Sequence, residues 1–510
     1  MGHLPMHDHS VLRRFYPLIF IGLATALAGC MLGPDFKHPD APKTNGYTAK
    51  PLPKHTVATP GAGGKPQTYV VNRDIPVAWW ELFHDKNISA LVEQGIANSP
   101  TMAAAQASLI NAQETLNAQI GNSLFPAFNA NVGGTRQRVG SGQGLGSPGD
   151  VFNTFNANVS VSYTLDVFGG ARREIEALAA QVDYQQFNLI ATYLTLTSNI
   201  VITSLNLASI TAQIGATHDL IKAAEGELRL MKDQYALGAI PLTNVLAQQT
   251  LVDQTKATLP PLQQQAIQAE HALAALIGRF PDTEIPHLVL NKIRLPKDIP
   301  ISLPSNLVRQ RPDVRASEAL LHAASAQIGV ATANLFPQFT LSAADGWSAD
   351  VASSLFTPST KVWSLASQIT QPIFHGGALF ASRRAAIAAY DQAGAQYQQT
   401  VLQAFQNVAD TLRALANDAR TFQAQKAAEI AARKNWVITR QQFALGGVSY
   451  INLLSAEQSY QQSRISSIQA QAARYVDTAT LYQALGGGWW NRSSSLCDAA
   501  NRTNASLQCP

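Results

Sequence analysis

The sequence has few charged residues. Asp, Glu, Lys and Arg together make up 14% of its 510 residues, against roughly 25% in an average soluble domain. The formal net charge is only +4, and this balance argues against a dedicated nucleic-acid-binding protein, which would carry clustered basic residues. The mean hydropathy of −0.02 fits neither a polytopic helical membrane protein nor a disordered chain.

Residues suited to catalysis or metal binding are also scarce. The sequence contains no phosphate-binding loop, no Gly-x-Ser-x-Gly elbow and no His-Glu-x-x-His motif, which are the signatures of nucleotide, esterase and zinc-protease chemistry. Three histidines lie at the extreme N-terminus, and the others are scattered without the spacing of metal ligands. We therefore expect no catalytic residues, no metal site and no cofactor, and we expect that the protein is not an enzyme.

A short basic and apolar segment opens the chain. Residues 13–27 consist of two arginines followed by an apolar stretch that is too short to span a bilayer comfortably. Leu27, Ala28 and Gly29 then lead into Cys30, a pattern that resembles the bacterial lipobox. The resemblance implies S-diacylglycerol and N-palmitoyl groups on Cys30, which would anchor the chain stably in outer-membrane lipid. A plain cleavable signal and a transmembrane anchor are the alternatives.

The other two cysteines lie close together near the C-terminus. Cys497 and Cys509 fall in a polar tail, in what should be an oxidising periplasm. A disulfide that closes this short loop and two free thiols are both open interpretations.

The rest of the chain contains an internal duplication. Residues 234–240 match residues 442–448, and Leu-Phe-Pro at 124–126 recurs at 335–337. Matched landmarks that keep their order and spacing indicate a repeat. The predicted segments are a lipoprotein signal peptide (1–29), a lipid-anchored proline-rich tether (30–78), a first structural repeat (79–280), an inter-repeat segment (281–305), a second repeat (306–488) and a polar tail (489–510).

Each repeat contains two stretches with the alternation of β-strands. The predicted strands are about 125–134, 151–167, 336–346 and 361–374. In 151–167 apolar residues occupy the odd positions and polar residues the even ones, with only Phe152 and Asn153 out of phase. A half-buried soluble sheet gives the same period, but the lipid anchor favours a transmembrane barrel. Four strands cannot close a barrel, so the chain must then oligomerise.

Long helical segments follow the strands. Ala171 to Ile240 and Gly377 to Leu485 contain no proline and are rich in Ala, Gln and Leu. A helix of roughly 65 residues would reach about 100 Å, too long for a globular core. We expect either long coiled-coil-like helices or hairpins that turn near Gly215 and near Asn417-Asp418.

Several motifs resemble one family. Cys30–Phe36, Trp79-Trp80, Arg311–Ala316 and Phe336-Pro337 are similar to the corresponding segments of outer-membrane efflux lipoproteins of the TolC superfamily (NodT branch). The resemblance implies a homotrimer with a 12-stranded transmembrane β-barrel, four strands from each chain, continued by a 12-helix periplasmic α-barrel. An equatorial belt would include the inter-repeat segment. Arg311 and Asp313 are expected to cap and pair at a helix start next to Pro312.

The resemblance also implies a function and partners. Such proteins are passive trans-periplasmic exit ducts for drugs or other small molecules, and a periplasmic adaptor and an inner-membrane RND pump open and supply them. We place the closed tip at the expected helix turns, around 210–219 and 415–420, with Asp418, Arg420 and Asp219 as gate candidates. The alternative for each is a solvated helix turn.

Two other functions are compatible with the same sequence features. One is an outer-membrane duct of a protein or factor secretion system, and the other is a non-conducting, lipid-anchored periplasmic structural protein. The expected location is the outer membrane, where the chain would be lipid-anchored and barrel-spanning and would extend into the periplasm. In the structural-protein alternative, the lipid alone would hold the chain at the membrane.

Overall fold

A computed structural model describes residues 31–44, 46–138 and 151–491. The predicted lipidation site Cys30, the lipobox residues 27–29 and the cysteines Cys497 and Cys509 lie outside the described residues. The described chain divides into two compact units, which we treat separately. The strand unit comprises residues 31–38, 109–185 and 317–397, and the helix-end unit comprises residues 39–108, 186–316 and 398–491.

Strands and helices alternate in the order that the duplication predicts. The strands are β1 (Thr68–Val71), β2 (Ala127–Arg138), β3 (Val151–Leu165), β4 (Asp298–Ile301), β5 (Gln338–Ala349) and β6 (Lys361–Thr370). The helices are α1 (Lys86–Asn98), α2 (Pro100–Leu124), α3 (Gly170–Ala236), α4 (Leu242–Ala257), α5 (Leu259–Leu276), α6 (Pro304–Gln310), α7 (Pro312–Ala333), α8 (Ala378–Ala444) and α9 (Tyr450–Ala484).

The strand unit contains one four-stranded antiparallel sheet. Its order is β2-β3-β5-β6, so the first strand of the second repeat pairs with the last strand of the first. The register aligns the apolar positions of neighbouring strands, because side chains of directly paired residues point to the same face. The row Phe128–Val161–Ala343–Leu365 crosses all four strands and forms a continuous apolar row on one face of the sheet.

Strand β2 is longer than predicted. The predicted end of this strand is near residue 134, but the ladder continues to Arg138. Gly134 lies directly opposite Phe155, whose ring approaches within 3.1 Å of the place where a Cβ would be. The aromatic ring therefore covers the glycine, which lets the strand continue through a residue of low β-propensity.

The long helices are uninterrupted, and the predicted turns are wrong. Helices α3 and α8 each run for 67 residues, or about 100 Å at 1.5 Å per residue. Neither bends back near Gly215 or near Asn417-Asp418. The chain instead reverses at residues 237–241, before α4, and at residues 445–449, before α9.

Two glycines explain where these helices end. Gly238 and Gly446 have φ of 72° and 74°, the left-handed region in which glycine ends helices. The amide of Ala239 bonds the carbonyl of Gln234, and the amide of Gly447 bonds that of Gln442, at 2.9 and 2.8 Å. These are the same six-residue caps in both repeats. A mid-helix glycine such as 215 only lowers helix propensity and does not stop a helix.

The proline-rich segment after Cys30 is not the unpacked tether that the sequence suggested. In the helix-end unit, β1 pairs in parallel with β4 from the inter-repeat segment. Arg474 on α9 is fully buried and donates to the carbonyls of Gly63 and Lys65 at 2.7 and 2.8 Å. The segment is therefore held by a short parallel ladder and by a side chain of a long helix that satisfies its backbone carbonyls.

The N-terminal and C-terminal parts of the helix-end unit contact each other. The Trp79 ring stacks on the Tyr482 ring with centroids 5.4 Å apart, and Trp490 Nε1 donates to Asp74 at 2.9 Å.

Arg311 bonds Asp313 through two nitrogens and donates to the carbonyl of Ala484. The expected pairing at this helix start is therefore confirmed.

Among the described helices, α3 alone has an apolar window long enough to cross a membrane by length and composition. A share of 56% of that window is buried inside the protein, and a core helix passes the same test. The hydropathy of α3 is thus weak evidence for a membrane span.

Candidate functional site

The four-stranded sheet is open at both edges. Strands β2 and β6 each pair with one neighbour in the chain, and every residue of both strands is exposed. The exposed side chains include Val132, Trp363 and Leu365, with exposed fractions of 83%, 77% and 75%. Open edges and an apolar face of this kind are stable in lipid only when further strands close them into a barrel.

The opposite face of the sheet is polar. Asn131 Nδ2 donates to Asn158 Oδ1 across the β2–β3 pair at 3.3 Å, and Ser160 Oγ donates to the carbonyl of Asn129 at 3.4 Å. These residues alternate with the apolar row. One face therefore suits hydrocarbon and the other suits water, as in transmembrane barrels.

The segment that follows Cys30 is clamped to the strand unit by Arg173, in the first turn of α3. The Arg173 side chain is 2% exposed. It donates to the carbonyls of Leu32 and Gly33 at 3.0 and 3.3 Å and to the carboxylates of Asp35 and Glu176, both at 2.7 Å. One buried guanidinium thus binds three positions of residues 31–38, which we call the anchor segment.

The clamp depends on a close backbone approach. Gly33 has φ of 93°, and a Cβ on it would lie 2.4 Å from the Cα of Gly329 on α7. Beyond this contact Phe36 stacks on His322 with ring centroids 4.4 Å apart, and His38 Nδ1 lies 2.6 Å from Glu318 Oε1. The anchor segment is therefore seated along α7 and not merely tethered.

A buried polar network lies near the helix ends. Gln248 on α4 donates to the carbonyl of Ala224 on α3 at 3.2 Å and to Glu457 on α9 at 3.4 Å. It accepts a hydrogen bond from the Tyr450 hydroxyl at 2.8 Å. Glu227 on α3 pairs with Arg440 on α8. The network joins all four helices beside the two turns.

Two of its members are buried carboxyls. Glu227 and Glu457 are each 2% exposed, and an apolar cluster that includes Met231, Val245 and Leu453 lies at the same helix ends. Burial raises the pKa of Glu457 to about 7, and the neighbouring Glu227 carboxyl adds to the shift. Burial likewise raises the pKa of Glu227, against the attraction of Arg440. Both groups lie outside the strands.

The three gate candidates lie within helices and not at turns. Asp219 on α3 accepts from Arg464 on α9 at 2.7 Å. Asp418 on α8 is half-buried beside Asp477 on α9, and burial together with that second carboxyl raises the pKa of Asp418. Arg420 is exposed. Their selection rested on turns that the structure places elsewhere, and their gating role stays a prediction.

Sequence reasoning missed Arg173, Glu227 and Glu457. Only Glu457 carries a signal, because it is the one charged residue between Arg440 and Arg464 and a buried charge needs a partner. Arg173 and Glu227 lie among other charged residues, which hides them. Over the described ranges, no group of three or more His, Cys, Asp or Glu side chains could hold a metal ion.

A sheet that needs partner strands, with one lipid-facing and one water-facing side and with helices of about 100 Å, defines a subunit of an outer-membrane channel. The sequence matches the family "Outer membrane efflux protein" over residues 91–279 and 303–487. The chain belongs to this family, whose members are channels and not enzymes. It is located in the outer membrane and extends into the periplasm.

Individual relatives are also outer-membrane proteins. The chain is 28% identical over 424 residues to the "Pyoverdine export outer membrane protein OpmQ" of Pseudomonas aeruginosa, covering 82% of this chain and 89% of that protein. It is 27% identical to the "Probable outer membrane lipoprotein SilC" of Salmonella typhimurium, covering 92% and 98%. The Neisseria gonorrhoeae MtrE channel in its open state superposes with a TM-score of 0.77, 25% identity, and coverage of 90% and 98%.

A second solved structure has a similar fold. The Campylobacter jejuni CmeC outer membrane channel gives a TM-score of 0.82 at 21% identity, covering 94% of this chain and 99% of that one. The predicted fold class, a β-barrel contribution followed by long helices of an α-barrel, is therefore confirmed. The predicted efflux-channel function is confirmed at the level of the family, in which trimeric channels act with adaptor and pump proteins.

Proposed function

We propose that three copies of this chain close one 12-stranded barrel and form a passive exit duct for drugs or other small molecules. A periplasmic adaptor and an inner-membrane pump of the RND type would supply and open it. The observation that carries this proposal is the sheet with two open edges and a continuous apolar row, because four strands cannot shield their edges from lipid.

The names of relatives support a small-molecule cargo. OpmQ is named for the export of pyoverdine, and another relative, 28% identical over 94% of this chain, is the "Toluene efflux pump outer membrane protein TtgF" of Pseudomonas putida. Two relatives of similar identity thus carry the names of two different cargoes, pyoverdine and toluene. We infer that the pump and adaptor select the cargo and that the duct only conducts it.

Lipidation of Cys30 is part of the same proposal. We infer that the lipid is an auxiliary anchor, because the barrel would hold itself in the membrane and Arg173 already fixes the anchor segment. A Cys30→Ser chain with an ordinary cleavage site should assemble at reduced yield and still conduct. Complete failure to insert would show that the lipid is essential, and the absence of palmitate label in the wild type would refute lipidation.

Single-channel recording in planar bilayers tests the duct itself. Purified trimer should conduct, either directly or after Glu457→Lys places a second cation in the buried network and loosens the helix ends. A matched control is Glu270→Lys, the same change at an exposed position of α5. If neither the wild type nor the network variant conducts, the chain is a non-conducting structural protein. Export of a protein substrate by cells that lack drug efflux would favour the secretion alternative.

A further inference from the structure

The two repeats meet within the chain where β3 pairs with β5. Phe168 follows β3, and its ring packs against the rings of Phe336 and Phe339 around the start of β5, with centroids 4.9 and 6.5 Å away. Phe168 and Phe339 are half-buried, so this contact removes part of each ring from solvent. We call this group of three rings the repeat seam.

The first repeat carries two of the same rings around the start of β2. The Leu-Phe-Pro motif that the repeats share makes Phe125 the counterpart of Phe336. Phe128 is the counterpart of Phe339 at the same offset, since 336 − 125 and 339 − 128 both equal 211. Both Phe128 and Phe339 lie on the apolar face of the sheet, so the correspondence also preserves the direction of the side chain.

The second repeat carries the third ring, after β6. A phenylalanine and then a pair of glycines follow the last strand of each repeat, and the phenylalanine is Phe168 in the first and Phe374 in the second. Gly169 and Gly376 both have positive φ, 74° and 60°, and the long helices α3 and α8 begin within two residues of them. Phe374 is therefore the counterpart of Phe168.

The three counterparts are exposed in the single chain. The exposed fractions of Phe125, Phe128 and Phe374 are 62%, 71% and 85%, against 36% for Phe336 in the repeat seam. The topology explains the difference, because β2 and β6 are the opposite edges of the sheet. Three strand spacings of about 4.8 Å separate these edges, too far for one phenylalanine ring to reach another.

Closure of the barrel by identical copies brings these positions together. Strands β3 and β5 pair antiparallel, and the sheet order makes β6 and β2 antiparallel as well. In a closed ring of copies, β6 of one copy therefore meets β2 of the next in the same relation as β3 meets β5. The end of β6 then lies beside the start of β2, just as the end of β3 lies beside the start of β5.

We propose that Phe374 packs against Phe125 and Phe128 of the partner subunit, so that each boundary between subunits reproduces the repeat seam. The inference rests on the barrel closure proposed above and adds which side chains hold the boundary. A second copy of this chain covers the exposed rings, and packing between aromatic rings stabilises the contact. The closed barrel then has one aromatic seam after every second strand.

Chemical cross-linking of the full chain tests this contact. In a chain with Cys497→Ser and Cys509→Ser, Phe125→Cys together with Phe374→Cys should form covalent dimers and trimers with a short bismaleimide. Phe356→Cys with Phe374→Cys is the matched control. Phe356 is 68% exposed but follows β5 at the opposite end of the sheet, so the control pair should run as monomer on denaturing gels, as should each single-cysteine variant.

Assembly of the trimer gives a second measurement. Phe374→Ala should lower the yield of heat-stable trimer several-fold, because the missing ring leaves a gap at every boundary between subunits. Phe374→Leu keeps most of the apolar volume and should retain most of the trimer. Phe356→Ala removes an equally exposed ring away from the boundary and should assemble as the wild type does.

Three outcomes overturn the proposal. The first is a conducting trimer in which the Phe125→Cys and Phe374→Cys pair does not cross-link, which would assign these rings to lipid. The others are equal cross-linking in the Phe356→Cys control and equal trimer yields from Phe374→Ala and Phe356→Ala. Conductance is recorded on the same preparations, so each of these results leaves the duct intact, whereas a wild type without trimer or conductance refutes the proposed function itself.

Discussion

Replacing Arg173 by methionine should release the anchor segment from the strand unit while the sheet stays folded. Methionine keeps the length and apolar volume of the buried stem but removes every hydrogen-bond donor. The carbonyls of Leu32 and Gly33 then lose their donor, while Glu176, on the same helix as Arg173, loses one bond and keeps its contact with His322 at 2.9 Å. The apolar packing around α3 is unchanged.

The contacts set the magnitude. A hydrogen bond to a charged group contributes about 1.5–3 kcal/mol and a neutral one about 1 kcal/mol. The pair with Asp35 adds little, since that carboxylate is 88% exposed and water screens it. The two charged hydrogen bonds to the carbonyls of Leu32 and Gly33 together contribute about 3–5 kcal/mol, so undocking should become roughly a hundredfold to a few thousandfold more frequent.

Hydrogen–deuterium exchange reports this directly. The amide of Leu32 bonds the carbonyl of Phe168 at 3.2 Å, and peptides that cover residues 31–38 should lose protection in Arg173→Met. Asp35→Asn is the matched control and should change protection by less than about 1 kcal/mol. Unchanged protection in Arg173→Met, or equal loss in both variants, would refute the idea that one buried guanidinium holds the anchor segment.

Three further predictions follow from the sheet and the helices. Leu365→Arg on the apolar face should reduce the stability of the protein in the membrane by about 2–4 kcal/mol, while Ser364→Arg on the opposite face should cost little. Equal yields of heat-stable trimer from the two variants would contradict the assignment of the faces. Glu457 has a pKa of about 7, above the usual value, so its contribution to stability is complete below about pH 4.5 and is lost as pH rises through 7. Glu457→Gln should therefore flatten the dependence of the melting temperature on pH between pH 5 and 8. An unchanged dependence in this variant would show that a group other than Glu457 causes it. Gly238→Ala should destabilise the helix end by about 1 kcal/mol because of its positive φ, whereas Gly215→Ala should stabilise α3 by up to about 1 kcal/mol. A lower melting temperature for the first variant and a higher one for the second would confirm that the chain turns at residues 237–241 and not near Gly215.

The strands and long helices could be predicted because their signals are local. Alternation in 151–167 and the absence of proline in 171–240 depend only on neighbouring residues. The turns were misplaced for a different reason. The actual turns follow the Leu-Gly step that residues 234–240 and 442–448 share, and glycine in that position is the usual helix terminator.

The site contacts could not be predicted, because they join residues far apart in the sequence. Arg173 reaches Asp35, and Gln248 reaches Glu457, and nothing in the spacing of these residues indicates which will meet. The prolines and glycines of residues 30–78 predict an extended tether. Buried side chains of other elements, such as Arg474, bind its carbonyls instead.

The equal lengths of α3 and α8 have a consequence for how such chains can change. Both helices count 67 residues, and the apolar cluster that holds their ends includes residues beside both turns, among them Ile240 and Tyr450. An insertion in one helix alone would rotate and shift its end relative to that cluster by about 100° and 1.5 Å per residue. A change in the length of the long helices must therefore add the same number of residues to both α3 and α8. The two repeats are for this reason constrained to change length together.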